Sequence, residues 1–582
     1  MSKSERDFLD QHPLWFYIRK QKVHFALGMF FLIVTNIFDG LYPLVLKKGI
    51  DQISAGANLG SLGTTALFFF AIMATLAGTR FCWRVFFGRY HTLAAEDLRN
   101  RIFRHLTAMG PQFFKQNPIG ELMSLITNDV QSFRHAIGSG VLILVDGISI
   151  IFIVLPLMIW MEPTWTWKTL IFLPLVPFLI WKVTKLIFKN YKVQQTHLSE
   201  LSGVSQEIVA GIRVIKSFAQ EDNKLGQYNR LSSIYENACN KVAKIDALFV
   251  PVMQFGVASG TVILLFIASD DVFSGAATIG TFVAFQRYIT KMVWPMTALG
   301  MGLSQFQKGM ASFTRIKEVL LKKTDIPDEG QIEIKNFENI EVRNLTFQFP
   351  ESSVPALKNI SFSIQAGQKV GLVGPVGSGK TTLLHVLNRL YPAPRETVFV
   401  NGHEITDITQ RSLHLQMAMV PQEPFLFSES VAENMQMGLE ESQPDDEVRK
   451  WAQVVDIKSE VEALPHQFNS QLGERGVNLS GGQKQRLTIA RGLMTRAPMI
   501  ILDDSLSAVD HKTEKTIQDQ LSNQLQGRKT QLVVSHRLSA VENADQIIVL
   551  NQGQIEAIGT HQQLVEKSST YRKMAEIQGY LA

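Results

Sequence analysis

The sequence predicts a multi-domain fold: an all-α membrane domain of six spanning helices, fused to a soluble α/β domain entered through a glycine-rich loop. Three observations carry this. Nearly every long apolar run lies in residues 1–303, whereas 331–582 has the mixed composition of a domain folded in water, so the chain passes from one solvent to another. Six of the runs are long enough to cross a hydrocarbon core of about 30 Å, which takes about 20 apolar residues of helix. The glycine-rich segment 374–381 lies between a strand-like and a helix-like run. At 582 residues, a single hydrophobic core is excluded by length alone.

Bulk composition is 46% hydrophobic and 19% charged with a net charge of +5. That excess is too mild to argue for nucleic acid, and no nucleic-acid partner is expected; it suits Lys and Arg placed on the cytoplasmic side of a membrane. Two cysteines, Cys82 and Cys239, exclude a disulfide framework and have no metal-ligand spacing around them, so both are read as packing residues. The opening stretch, 1–22, is polar, mixed in charge and without a cleavage-site pattern, so the first apolar run is expected to stay as a span.

The expected spans are 24–46, 62–87, 139–161, 167–187, 247–268 and 281–303. Pro43, Pro156, Pro174, Pro177, Pro251 and Pro295 fall inside them, tolerated because neighbouring groups in a membrane bundle satisfy the freed carbonyls. Connections alternate: 47–61, 162–166 and 269–280 are short, while 88–138 and 188–246 are long, polar and helix-like. The long segments and the N-terminal tail hold most of the basic residues, whereas the third and fifth loops offer Glu162, Asp270 and Asp271 and no base. The tail and the long loops are therefore cytoplasmic; Lys47 and Lys48 are the exception. Each long loop reads as a helical excursion with its tip near 121–127 or 209–215.

Charges inside spans are costly and functional by default. Arg287 and Lys291 lie four residues apart on one face of the sixth run, with Asp39 in the first and Asp146 in the third. The basic pair either lines a path for anionic or amphipathic cargo, or is structural, pairing with a carboxylate on a neighbouring helix or snorkelling toward the headgroups; the sequence leaves these open.

In the second half, Gly374-Pro375-Val376-Gly377-Ser378-Gly379-Lys380-Thr381-Thr382 follows the strand-like 369–373 and opens a helix. Glycines there let backbone N–H groups curl around phosphate oxygens at a helix N-terminus. In such a loop Lys380 reaches the β- and γ-phosphates and the Thr381 hydroxyl ligates Mg²⁺. The apolar run 499–502 ends in Asp503, placed to hold the Mg²⁺ shell. Loop and acidic strand together indicate a P-loop NTPase that binds ATP with Mg²⁺.

The kind of NTPase follows from Leu479-Ser480-Gly481-Gly482-Gln483, which resembles the signature of ABC ATPases and precedes the acidic strand as it does in that family. Other matches occur in order: Phe349 where the family stacks an aromatic on adenine, Gln422 in the loop that senses Mg²⁺, Glu474 before the signature, 507–510 ending in Asp510 where the loop crosses between paired ATPases, and His536 at the γ-phosphate. The resemblance implies an ABC-type helical subdomain within the α/β fold. It also implies head-to-tail pairing, in which Ser480, Gly481, Gly482 and Gln483 complete the site of a second half-transporter. With six helices ahead of the ATPase, the chain is similar to multidrug and lipid exporters, which sit in membrane lipid and move amphipathic molecules. The expected divisions are 1–310 for the membrane domain with its two coupling loops, 311–335 for a linker and 336–582 for the nucleotide-binding domain.

One position departs from the family. After Asp503, active members carry a glutamate that polarises the attacking water; here it is Asp504, shorter by one methylene. Catalytic roles are expected for Asp504, His536 and Gln422, with Gln422 also near the metal, and with slow turnover at this site. The pattern resembles the weakened-site subunit of heterodimeric bacterial exporters. A homodimeric drug or lipid flippase, and an ATP-binding gating subunit with little transport of its own, are the alternatives.

Overall fold

The computed structural model describes residues 12–170, 175–439, 441–525 and 529–580. The chain divides into two units: Met1–Thr107 with Ile119–Lys322, and Ala108–Pro118 with Lys323–Ala582.

The first unit is helical. Among the described residues, Lys22–Ser54, Leu59–Thr107, Ile119–Met161 and Glu221–Phe273 are long and apolar enough to cross a membrane, and the first, second, third and fifth expected spans lie within them. The fourth, 167–187, includes residues 171–174 and hence Pro174, which lie outside the described residues. The sixth opens the continuous helix Ile279–Leu321, which runs on into the stretch expected to be a linker. In chain order, α1 is Lys22–Ser54, α2 Leu59–Thr107, α3 Pro111–Gln116 (which belongs to the second unit), α4 Val141–Met161, α5 Leu175–Ala210, α6 Glu221–Asp246, α7 Phe249–Phe273 and α8 Ile279–Leu321.

Pro43, Pro156 and Pro295 sit inside α1, α4 and α8 without ending them. Side chains join the helices where apolar packing gives no direction: the Tyr288 hydroxyl donates to the Gly40 carbonyl at 2.8 Å, and the Trp165 indole donates to Asp271 at 2.7 Å. A Cβ on Gly40 would stand 2.7 Å from Ile153, so glycine permits α1 and α4 to approach there.

With 49 residues, α2 is about 74 Å long at 1.5 Å per residue, far beyond one hydrocarbon core. The chain then reverses through 108–118, a turn built on α3 with Pro111 at its start. The first loop tip is therefore α3, and not 121–127, which continues as helix. In the second long loop α5 stops before Gly211, and a short helix, Ile212–Ser217, precedes α6, close to the expected 209–215.

The second unit holds two sheets. A four-stranded antiparallel sheet has the order β2-β1-β4-β5, with β1 Asn339–Phe347, β2 Leu357–Gln365, β4 Val398–Val400 and β5 His403–Glu404. A six-stranded sheet has the order β10-β9-β3-β8-β7-β6, with β3 Lys369–Val373, β6 Met417–Val420, β7 Met499–Asp503, β8 Thr530–Val534, β9 Gln546–Asn551 and β10 Gln554–Gly559. All its pairs are parallel except β9–β10. β7 and β8 are buried at every residue, as parallel strands covered on both faces must be. Three further helices matter: α9 Lys380–Leu387, α10 Gly481–Met494 and α11 Ser569–Ile577.

Candidate nucleotide site

β3, β8 and β7 are neighbours in one register, with Val534 opposite both Leu372 and Asp503. Their carboxyl ends therefore come out side by side, where ligands bind in parallel α/β sheets. Just beyond those ends stand the 374–382 loop, His536 and the Asp503–Asp504 pair.

The loop's path demands glycine. Gly374 has φ of +152°, and a Cβ there would stand 2.0 Å from the Leu550 carbonyl oxygen; Gly379 has φ of +100° and would set one 2.8 Å from that of Ala356. Pro375, Val376 and Gly377 form an exposed crest, while Ser378 and Lys380 are buried beneath it. The Lys380 ammonium reaches back across the loop, donating to the carbonyls of Gly374 and Pro375 at 2.9 Å each. Thr381 and Thr382 begin α9, whose N-terminus faces the same space.

Asp503 is 3% exposed. Burial raises its carboxyl above the ordinary range, the Thr381 hydroxyl bond opposes this, the Asp504 charge adds to it, and Lys380 also opposes it. Asp504 has φ of +43°, a left-handed conformation that Asp tolerates, and its N–H donates to the Val534 carbonyl at 2.9 Å. His536 is held below its usual value, by partial burial first and by Lys380 second, while Asp504 acts the other way. The imidazole is thus neutral near pH 7, in the fields of both residues. Gln422 lies two residues beyond β6, whose Val420 pairs with Leu502 of β7, so it emerges at the same sheet edge.

Ser480–Gln483 form a second group. Ser480 caps α10: its hydroxyl accepts from the Gln483 N–H at 3.3 Å, and the Gln483 side chain accepts from the Ser480 N–H at 2.8 Å. Gly482 lies under the Ala508 carbonyl, where a Cβ would come to 3.1 Å. Gln485 ties this helix to the crossing loop, donating to Ser507 at 3.2 Å and accepting from the Ala508 N–H at 2.9 Å. Asp510 accepts from the Thr513 N–H at 3.0 Å, the bond that leads in lowering its pKa. Among the described residues, no hydrogen bond joins 480–483 to the 374–382 loop.

Phe349 belongs to an aromatic cluster, edge-on to Phe347 at 5.1 Å and to Tyr391 at 5.4 Å. Sequence reasoning missed what surrounds it. From α3, the Lys115 ammonium donates to the Tyr391 hydroxyl at 2.6 Å and lies 6.0 Å from the Phe349 ring centre. It also missed Gln485 and Gln578, whose partners are distant in the chain.

Comparison with known proteins agrees with this geometry. Residues 25–296 match the family described as ABC transporter transmembrane region, and 357–507 the family described as ABC transporter. A probable multidrug resistance ABC transporter ATP-binding/permease protein, YheI of Bacillus subtilis (strain 168), is 34% identical over 97% of this chain and 96% of its own length. The chain belongs to the ABC transporter family. The multidrug resistance-like ATP-binding protein MdlA of Escherichia coli (strain K12) is 32% identical, covering 97% of this chain and 96% of its own. The ATP-dependent lipid A-core flippase of Photobacterium profundum is 30% identical over 99% of both chains. In fold, the ABC transporter matches a bacterial Atm1-family ABC exporter with ATP bound: TM-score 0.77, 22% identity, covering 96% of this chain and 99% of that one.

This ABC transporter therefore has the build of an exporter, similar over nearly its whole length to proteins named for multidrug resistance and lipid A-core flipping; it spans the membrane, with a cytoplasmic ATP-binding domain whose ATPase activity is coupled to transport. ABC exporters work as dimers.

Proposed function

We propose that the chain is one half of a heterodimeric exporter that moves an amphipathic drug or lipid, and that its own ATP site turns over slowly. Phe349 stacks on adenine. The 374–382 backbone and Lys380 hold the phosphates, while Ser480, Gly481, Gly482 and Gln483, with Asp510 nearby, complete the site of the partner chain. The Thr381 hydroxyl and Asp503 carboxylate, already bonded to each other, are hard oxygen donors of the kind Mg²⁺ takes beside phosphates, and the Gln422 carbonyl is a third. When bound, the ion neutralises charge developing on the γ-phosphate.

The observation that carries the slow-site reading is Asp504. Its carboxylate has the charge that orients water but is withdrawn by roughly 1.5 Å, one carbon–carbon bond. A displacement near 1 Å can cost about a hundredfold in rate. His536, held neutral, remains able to donate to the γ-phosphate. Closure of the paired ATPases reorients the membrane cavity through the long cytoplasmic loops, and hydrolysis at the partner-supplied glutamate resets it.

The test is Asp504→Glu in the purified transporter, with subunit composition read by native mass spectrometry. The expected results are a rise in ATPase rate of about twofold, as this chain's site, otherwise about a hundredfold slower, comes to match its partner's, and a complex of two different chains. An unchanged or lower rate sinks the geometric argument, and a fully active homodimer sinks the pairing.

A further inference from the structure

The short helix Lys458–Glu462 brings Glu460 to the start of α10. There its carboxylate is divided between two donors: one oxygen accepts from the Gln483 amide at 2.6 Å, the other from the Arg486 guanidinium at 2.7 Å. Gln483 and Arg486 are three residues apart, so both lie on one face of α10. The Arg486 side chain is 10% exposed and also donates to the Asp456 carbonyl, just before the same short helix. A guanidinium so buried needs a counter-charge. Among the described residues, Glu460 is its one ion-pair partner.

The contact with Gln483 fixes more than packing. An ionised carboxylate only accepts, so the amide turns its NH2 to Glu460, and its carbonyl oxygen falls to the Ser480 N–H. With the amide reversed, oxygen would face oxygen at one end and two donors would meet at the other. Glu460 thereby selects the amide orientation that closes the cap of α10. The cap engages the N–H groups of Ser480 and Gln483. The Ser480 O–H and the N–H groups of Gly481 and Gly482 remain, without an acceptor among the described residues. Ser480 and Gly481 are exposed. Free donors at a helix N-terminus suit phosphate oxygens, and the closed cap sets where they point.

We propose that Glu460 is a positioning residue for the partner's ATP site: by holding Gln483 and Arg486 from outside α10, it sets the direction in which Ser480, Gly481 and Gly482 present their donors. The inference rests on the reading that 480–483 complete the site of the partner chain, and deepens it. Glu460 itself touches no nucleotide; both its oxygens are already taken.

The test is Glu460→Gln in the transporter purified with its partner chain, with phosphate release and thermal unfolding read for every variant. The replacement amide has one oxygen, which Arg486 draws; its NH2 is left against Gln483 and reverses that amide. The expected result is a kcat for ATP lowered by about tenfold, the worth of a hydrogen bond to a charged group, with KM nearly unchanged because the partner's own phosphate loop holds the nucleotide. Glu460→Asp keeps the charge that Arg486 needs but is one methylene short of spanning both donors. It folds, and its loss is smaller.

Two backgrounds separate positioning from folding. On top of Gln483→Ala, Glu460→Gln should lower kcat by less than about twofold further, since the group through which it acts is gone. With the partner glutamate changed to Gln, so that this chain's own site carries the turnover, it should again change kcat by less than about twofold. A kcat unchanged both there and in the intact transporter, or a full further loss on top of Gln483→Ala, overturns the proposal. Equal losses at both sites that track the melting temperature also overturn it, since they mark a contact that only holds the domain together. A loss confined to this chain's own site leaves Glu460 a positioning residue and sinks instead the reading that 480–483 serve the partner.

Discussion

Gln578 grips both sides of the loop that carries His536: its side chain donates to the His536 carbonyl at 2.8 Å and accepts from the Leu538 N–H at 2.8 Å. The residue between, Arg537, is paired with the buried Glu514. Gln578 follows the end of α11, so that helix fixes the backbone from which His536, proposed to meet the γ-phosphate, projects. In a transporter whose partner glutamate is changed to Gln, so that this chain's own site carries the turnover, Gln578→Ala is expected to lower kcat for ATP by about tenfold to a hundredfold, the cost of misplacement near 1 Å, with KM nearly unchanged. Gln578→Glu keeps the acceptor and loses the donor, so its kcat falls in between. Equal losses in kcat and melting temperature for both variants would mark a merely structural contact.

Lys115 links α3 to the aromatics proposed to face adenine. A cation near an aromatic face contributes about 0.5–1 kcal/mol at exposed sites, and its bond to Tyr391 orients the ring that braces Phe349. Lys115→Met is expected to raise the Kd for ATP by about twofold to fivefold, measured by isothermal titration. Tyr391→Phe removes the hydroxyl and keeps the ring, so it reproduces part of that loss. An unchanged Kd in both variants would mean that the cluster does not respond to this contact.

Ser480 combines two roles that substitution can separate. As the cap of α10, its hydroxyl contributes about 1 kcal/mol; as the proposed phosphate donor, it faces a partner's nucleotide. Ser480→Ala removes both. Ser480→Asp keeps the cap, since aspartate caps as well as serine, but sets a negative charge toward phosphate. The expected outcome is a melting temperature lowered only in the alanine variant and ATPase lost in both, read by thermal unfolding and phosphate release. Retained activity in the aspartate variant would place the phosphate elsewhere.

What was legible in the sequence was local. The glycines of 374–379 lie beside the lysine they serve, and Asp503 ends its own strand, so a short window held the chemistry. α8 was legible as apolar helix at 281–303, but not its continuation to Leu321, because a helix that leaves the membrane loses its apolar signal without losing its hydrogen bonds. The first loop tip lies at α3 and not at 121–127 because Gly110 and Pro111 open the short helix on which the chain turns, whereas 121–127 continues as helix. Lys115 and Tyr391 are 276 residues apart, and Gln578 and His536 are 42 apart. Nothing in a local pattern marks such pairs, since only the folded backbone brings them together. The Lys291–Asp39 pair was foreseen as one option beside a cargo path and snorkelling, because a buried cation calls for an anion without naming it.

α11 has its own anchor, and that anchor titrates. Glu556 of β10 accepts from the Ser568 hydroxyl at 2.7 Å, the Thr570 N–H at 3.0 Å, the Thr570 hydroxyl, and Asn551 at 3.1 Å. Partial burial raises its carboxyl, but the bonds from Thr570, Ser568 and Asn551 outweigh that and bring it down to about 2. A carboxylate at the start of a helix also meets the positive end of the helix dipole. Because the folded pKa lies below the unfolded one, near 4.3, the stabilisation is complete above that value and is lost as pH falls from there through about 2. Hydrogen exchange of the α11 amides, corrected for intrinsic rates, should therefore show protection falling across that window, and Glu556→Gln should remove the dependence and lower protection at pH 7. Since Gln578 follows the far end of the same helix, Glu556→Gln should also lower kcat for ATP at neutral pH, in proportion to the protection lost, when the partner glutamate is changed to Gln and this chain's own site carries the turnover. Full protection of α11 in that variant would show that the helix is held by the packing of Tyr571 and Ala575 alone, both of them 0% exposed.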